Sequence, residues 1–213
     1  MTETAQPMPL DADRTALVVV DMQNAFLHGQ GSCAQLGLDV DRLLPAVDGV
    51  RMLLGAARRS GLPVFHTRYV WRPDYSDGGI VTRYILPALA EAGSLAAGSR
   101  DAEIAEGLHP AEGEVVIDKN RPSAFYGTRL EELLKAKDID GLIVCGVTTN
   151  VCVETTVRDA MQRDFRVWVV ADATAEFEPD RHAHALKSMG WMFASIVDLK
   201  HALAAIPGLA GRN

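Results

Sequence analysis

No apolar run in this chain of 213 residues approaches the ~20 residues that a membrane-spanning helix requires. The longest runs, such as Ala16–Val20 and Val167–Ala171, have the length of buried strands. A secretory signal is missing too: residues 1–13 are polar, include Pro7 and Pro9, and lack both a basic flank and an apolar stretch. That segment reads as an extended N-terminal lead, and the expected location is cytoplasmic. Positive charge is in deficit, with 28 acidic against 21 basic residues and a formal net charge of -7, which excludes non-specific nucleic-acid binding through phosphate neutralisation. Cysteine is scarce. Cys33, Cys145 and Cys152 are odd in number and form no C-x-x-C pair, so neither a disulfide framework nor a four-thiolate zinc site is indicated. There is no repeat, low-complexity tract or linker, and residues 1–213 read as a single domain of ordinary size.

What is present is an alternation. Short β-branched runs at Ala16–Val20, Pro63–Thr67, Glu114–Asp118, Gly141–Cys145, Arg166–Val170 and Trp191–Ile196 are separated by helical patterns, the signature of βαβ units. Most of these runs are apolar throughout, as expected for parallel strands covered on both faces. The expected architecture is a three-layer αβα, Rossmann-like fold around a six-stranded, mostly parallel sheet. Leu43, Val47, Val50, Leu54 and Ala57 share one helical face that ends at Ser60-Gly61. Thr128 with Glu131 reads as a capping box, and Val153, Val157, Ala160 and Met161 form a stripe that puts Cys152 in a helix's first turn. Pro179 opens a further helix that Gly190 is expected to close, and Asp198 caps the last one. Residues 71–98, with Asp77-Gly78-Gly79 and Pro87, break this regularity and read as an active-site loop region.

Ligands of open α/β sheets sit beyond the carboxyl ends of the strands, near the switch in strand order. Asp21 directly follows the first strand, Lys119 follows the third, and Cys152 opens the helix after the fourth. A carboxylate at the end of an apolar strand can accept a proton from a thiol, and a helix's first turn offers free N–H groups that favour thiolate and can hold an oxyanion. Against these stand plainer roles: a turn-forming aspartate, a solvated loop lysine, a small buried cysteine. The last fits Cys145, and no chemistry is assigned to Cys33.

Asp21-Met22-Gln23-Asn24-Ala25-Phe26, Asp118-Lys119 and the stretch from Cys145 through Gly146-Val147-Thr148-Thr149-Asn150-Val151-Cys152-Val153 to Thr156 together resemble the isochorismatase-like cysteine hydrolases, in order and over nearly the whole chain. The resemblance implies a catalytic triad of Asp21, Lys119 and Cys152, a cis peptide at Val147-Thr148, and an oxyanion hole from the backbone N–H groups of Thr148 and Cys152. The zinc-binding members carry an Asp-x-His and further histidines near the second strand. Here that region reads Phe65-His66-Thr67-Arg68-Tyr69-Val70-Trp71-Arg72-Pro73, so neither a metal nor a cofactor is expected and His66 is read as structural. The cysteine argues against the vinyl-ether-cleaving branch. The segment Asp118 to Thr128 is most similar to the N-carbamoylsarcosine amidohydrolase type, among relatives that act on ureidoacrylate, biuret and maleamate.

The implied activity is metal-free release of ammonia from a small carbamoyl or ureido compound through a thioester. The alternatives are an amidase for a maleamate-like or aromatic amide and a catalytically silent interaction module. A redox sensor at Cys152 would need Cys145 or Cys33 nearby in space. Arg68, Arg72 and Arg121 leave strand ends and could read a substrate carboxylate, though solvated arginines or loop salt bridges are the plainer reading. Asn24, Phe26, Trp71, Tyr75, Phe125 and Tyr126 could line a pocket, with Phe26 first because it sits just after Asp21. The expected partner is a small molecule, and the resemblance implies a homo-oligomer, dimer or tetramer.

Overall fold

A computed structural model describes residues 7–206. Six strands, β1 (Thr15–Val20), β2 (Val64–Tyr69), β3 (Val115–Lys119), β4 (Gly141–Val147), β5 (Arg166–Ala175) and β6 (Ser195–Val197), form one sheet in the order β3-β2-β1-β4-β5-β6. Every pairing is parallel. The helices are α1 (Asn24–Leu27), α2 (Ser32–Gln35), α3 (Pro45–Ser60), α4 (Ala88–Glu91), α5 (Leu130–Lys135), α6 (Glu154–Met161), α7 (Pro179–Met192) and α8 (Leu199–Ala205). Helices α3 and α8 pack on one face of the sheet, α6 and α7 on the other, giving the expected three layers.

Burial follows position in the sheet. All six residues of β1 and all seven of β4 are buried, whereas edge strand β3 alternates, so near-continuous apolar sequence marks the two strands flanked on every side. Chain order reverses between β1 and β4, which opens the crevice of a doubly wound sheet beyond their carboxyl ends. Gly146 makes this junction possible: at φ 113°, a Cβ there would lie 2.1 Å from the Val20 carbonyl oxygen, and β4 shifts register against β5 at the same point.

Several boundaries differ from the sequence expectation. The last strand begins at Ser195, not Trp191, because α7 runs through Gly190 to Met192. Strand β5 continues five residues past Val170, into the edge of the crevice. The capping box is not formed: Thr128 Oγ1 accepts from Leu130 N, while the Glu131 carboxylate turns to Lys135 and Arg163. The N-terminal lead is not extended throughout, since Asp11 caps a 3-10 turn at Ala12–Arg14. Its neighbours Met8 and Pro9 are fastened to Ser195, Trp168 and Arg166 at the far strands. Residues 1–6 of that lead lie outside the described residues. The long segment 71–98 carries a wide π-type turn at Val81–Ile85 and helix α4, joined by irregular chain.

Candidate active site

Three strand ends deliver three side chains to one point. Strand β1 runs straight into Asp21, whose φ of 50° is a left-handed conformation that aspartate tolerates better than most side chains. The bend is closed by the Gln23 amide donating to the Asp21 carbonyl at 2.7 Å. On β2, alternation sends Thr67 and Tyr69 to the site and Arg68 to the opposite face. Tyr69 pairs in register with Lys119, the last residue of β3, which is 2% exposed. Beyond β4, the chain turns through the π-type segment Thr149–Val153 into α6 and buries Cys152 beside Lys119.

Lys119 is the hub. Its Nζ lies 2.7 Å from Asp21 Oδ2, with both side chains fully buried, and donates to Cys152 Sγ at 3.4 Å and to the Arg121 carbonyl at 3.2 Å. It also stands 4.2 Å from the centre of the Tyr69 ring, whose π face favours a cation. The two oxygens of Asp21 differ. Oδ1 accepts from the Thr67 hydroxyl at 2.6 Å, whereas Oδ2, although close to the ammonium, receives no hydrogen bond of good direction and keeps a lone pair available.

Burial pushes the Cys152 thiol well above its ordinary value; Lys119 pulls it down and the Asp21 carboxylate pushes it up again. Desolvation thus favours the thiol form and works against the helix-start dipole anticipated to favour thiolate. Burial also pulls Lys119 down, but the charges of Asp21 and Cys152 and the hydrogen bond to Cys152 raise it overall. The centre thus brings a lysine, a cysteine and a carboxylate together, with Lys119 in contact with both Asp21 Oδ2 and Cys152 Sγ. That combination can deprotonate a nucleophile without bulk water.

Backbone donors stand alongside. The peptide Val147-Thr148 is cis. The amides of Val151 and Val153 both return to the Thr148 carbonyl, whereas the Cys152 amide between them does not. Thr148 and Cys152 thus stand at the start of this turn, where backbone N–H groups are commonly left without an intrahelical partner. The turn is held from below by Glu176, whose Oε2 accepts from Asn150 N at 3.2 Å, and by His182, whose Nδ1 meets Thr149 Oγ1 at 2.8 Å.

The structure sorts the other sequence candidates. Arg68 is committed to Asp118 through two bonds of 2.7 and 2.8 Å on the far face, so strand alternation removes it from the site. Arg72 is exposed. Arg121 remains beside the site, its Nη1 held by the carbonyls of Asp77 and Asn120. Trp71 is buried between Tyr69 and Tyr75, with its indole N–H on the Asn120 carbonyl, a packing role. Phe26 is buried in the core and Phe125 packs against Phe165. Tyr126 is exposed, and the Asn24 amide donates to the Arg100 carbonyl in a separate surface groove of about 190 Å³. His66 turns to the opposite face, where Nε2 meets Glu114 Oε2 at 2.8 Å. Among the described residues, no group of three His, Cys, Asp or Glu is placed to hold a metal ion. All three cysteines are free and buried; Cys33 is pushed up to about 12 by burial and then by Asp101.

Sequence reasoning missed Thr67, Tyr69 and Gln23. The buried Gln23 side chain donates to the carbonyls of Tyr69 and Ala102 and accepts from Tyr69 N at 2.7 Å, locking the ends of β1 and β2 together. The strand-end rule that selected Asp21, applied to β2 with its period of two, points to Thr67 and Tyr69 by the same logic.

Residues 15–201 match the Isochorismatase domain family. The chain belongs to the isochorismatase family. Within it, this member is 34% identical over 214 residues to a protein of Methylorubrum extorquens named ureidoacrylate amidohydrolase RutB, covering 94% of this chain and 86% of that one. Its fold superposes on a cysteine hydrolase from Pseudomonas syringae pv. phaseolicola with a TM-score of 0.87 at 31% identity, covering 97% and 98% of the two chains. It also superposes on N-carbamoylsarcosine amidase from Thermoplasma acidophilum, with a TM-score of 0.71 at 29% identity and coverage of 87% and 96%. Among the described residues, no helix is long and apolar enough to cross a membrane.

Proposed function

We propose that this chain is a metal-free cysteine amidohydrolase that cleaves a C–N bond of a small carbamoyl or ureido compound and releases ammonia. The observation that carries the reading is the fully buried contact of Lys119 Nζ with both Asp21 Oδ2 and Cys152 Sγ. The relatives named for ureidoacrylate and N-carbamoylsarcosine support the substrate class.

In this reading Asp21 Oδ2 takes the thiol proton and Cys152 Sγ attacks the substrate carbonyl carbon. Lys119 stays protonated and offsets the charge that passes from carboxylate to thiolate. The oxyanion is held by the N–H groups of Thr148 and Cys152. Collapse breaks the C–N bond, Asp21 returns its proton to the departing nitrogen, and an S-acyl thioester remains. Water then attacks that thioester with Asp21 as base, restoring thiol and carboxylate. The chemistry is complete with these residues.

Arg121 is the cation we assign to a substrate carboxylate: Arg68 is spent on Asp118, Arg72 is exposed, and Arg121 is half-buried with its carbonyl on Lys119. Residues 71–79 form the wall above it, tied down through Asp77 to Asn120 and Arg121. A cytoplasmic enzyme acting as a dimer or tetramer completes the reading.

The test is ammonia release from ureidoacrylate, N-carbamoylsarcosine, biuret, maleamate and nicotinamide by the native protein and by Cys152→Ala. Turnover of the ureido acids, abolished in Cys152→Ala and accompanied by a trappable acyl adduct on Cys152, is the expected result. Turnover surviving Cys152→Ala overturns the mechanism, sensitivity to chelators overturns the metal-free assignment, and silence across the panel points to an interaction module.

A further inference from the structure

Asp21 has two chemically different oxygens, and the residue that makes them different is Thr67. Its side chain is 1% exposed and closes a ring on a single partner. The hydroxyl donates to Asp21 Oδ1 at 2.6 Å, while the same oxygen accepts from Asp21 N at 3.2 Å, and the Thr67 carbonyl also faces that amide at 3.2 Å. A hydroxyl has one proton to give, and here it is spent on Oδ1. Oδ2 meets Lys119 and has no well-directed donor of its own.

We propose that Thr67 is a positioning residue for the reaction, holding Oδ1 so that Oδ2 alone receives the Cys152 proton and passes it to the leaving nitrogen. This rests on the cysteine mechanism proposed above. Three consequences follow from the geometry. The carboxylate cannot swing about its last torsion to place both oxygens on Lys119, which would leave no lone pair toward the thiol. The proton transfer always uses one oxygen, at one distance from sulfur. The donated hydrogen bond also fixes the plane of the carboxylate beside the thiol. The titratable and charged groups facing Asp21 are Lys119 from β3, Cys152 from the turn after β4 and Tyr69 from β2, with Arg121 beyond Tyr69. Of these only Lys119 is a cation in contact, so removing the hydroxyl leaves the carboxylate with a single stabilising partner.

The discriminating set is Thr67→Val, which keeps the shape and removes the hydroxyl, Thr67→Ala as a second hydroxyl-free form, and Thr67→Ser, which restores it. Each is measured for kcat and KM against pH on the ureido acid that the native protein turns over. In parallel, the rate of Cys152 alkylation by iodoacetamide is followed against pH. Thr67→Val and Thr67→Ala are expected to lower kcat about tenfold to a hundredfold, the effect of losing one hydrogen bond to a charged group, with KM within about threefold of native. The acidic limb of kcat should move to higher pH, because the carboxylate loses a donor, and Thr67→Ser should recover most of both. The alkylation profile should shift in the same direction in the two hydroxyl-free forms. Native kcat in Thr67→Val, or equal losses in Thr67→Val and Thr67→Ser with unmoved pH profiles, overturns the proposal by showing that only packing is at stake. If the native protein turns over no amide, the functional reading fails, while the alkylation profiles still decide whether Thr67 governs the base beside Cys152.

Discussion

Two buried charge clusters lie on opposite faces of strand β2, and they are built to different ends. On one face, Glu114 takes two hydrogen bonds from Arg58, one from the Ala111 amide and one from His66. Both oxygens accept directed donors, Oε1 from Arg58 and Oε2 from Arg58, Ala111 and His66, and the carboxylate is held down at about 2, the hydrogen bonds from Arg58, Ala111 and His66 outweighing the burial that opposes them. On the other face, Asp21 is equally close to a cation but leaves Oδ2 without a directed donor, next to a thiol that burial pushes up. A saturated pair stabilises. An unsaturated one, placed beside a nucleophile and open backbone donors, is ready to move a proton. Partner count, more than distance or burial, separates the structural cluster from the candidate catalytic one.

The sharpest way to break this contrast is to remove the proposed nucleophile. Cys152→Ala is expected to cut ammonia release by about 10⁴-fold or more while leaving thermal stability close to native, as judged by a melting scan. Asp21→Asn comes next: it keeps the Thr67 contact but loses the base, and kcat should fall about 10³-fold with the thiol still in place. On the structural face, Glu114→Gln should leave kcat within about twofold of native but destabilise the fold. Breaking a buried pair costs ~3–5 kcal/mol; because Arg58 is about a third exposed, the expected loss is about 2 kcal/mol, a melting decrease of ~4–8 °C. If Glu114→Gln instead abolished activity, the division of labour would be wrong.

The same cluster sets an acid limit. Glu114 has its folded value at about 2 against an ordinary 4.5, so its contribution is fully present above about pH 4.5 and is lost as pH falls toward 2. His66 is lowered from 6.5, chiefly by burial; the unfolded chain takes up its proton first, so stability also falls as pH drops below about 6.5. Melting temperature measured from neutral pH downward should decline in two stages, and the lower stage should flatten in Glu114→Gln. The smallest effect is reserved for Arg68→Gln, which removes a partly exposed pair worth ~0–1 kcal/mol on the face away from Cys152. Activity on ureido acids should be unchanged there, whereas Arg121→Gln should reduce kcat/KM for acidic substrates selectively.

Much of the architecture was readable in advance because burial on both faces leaves a plain trace: β1 and β4 are apolar throughout, and the three reactive residues sit where such strands end. The errors arose where local pattern and tertiary context diverge. Trp191 and Met192 read as strand because they are large and apolar, yet both are exposed on the last turn of α7. Gly190 read as a helix stop, but it sits inside α7, where a Cβ would come within 3.0 Å of Ile196 Cγ1, so its role is to let helix and strand approach. Arg68 and Arg121 looked equivalent as cations near strand ends. Strand alternation and the β2–β3 register pair Arg68 with Asp118, whereas Arg121 lies two residues past the end of β3, where the loop after the strand and the carbonyls of Asp77 and Asn120 hold it.

By itself, then, the order of residues determined the fold class and the identity of Asp21, Lys119 and Cys152 as neighbours at strand ends, because hydrophobic periodicity and chain connectivity are local properties. Only the tertiary structure decided which oxygen of Asp21 is free, that Thr67 occupies the other, and that burial pushes the Cys152 thiol up. Those outcomes depend on hydrogen-bond direction and desolvation among residues from β1, β2, β3 and the turn after β4, which no local pattern encodes.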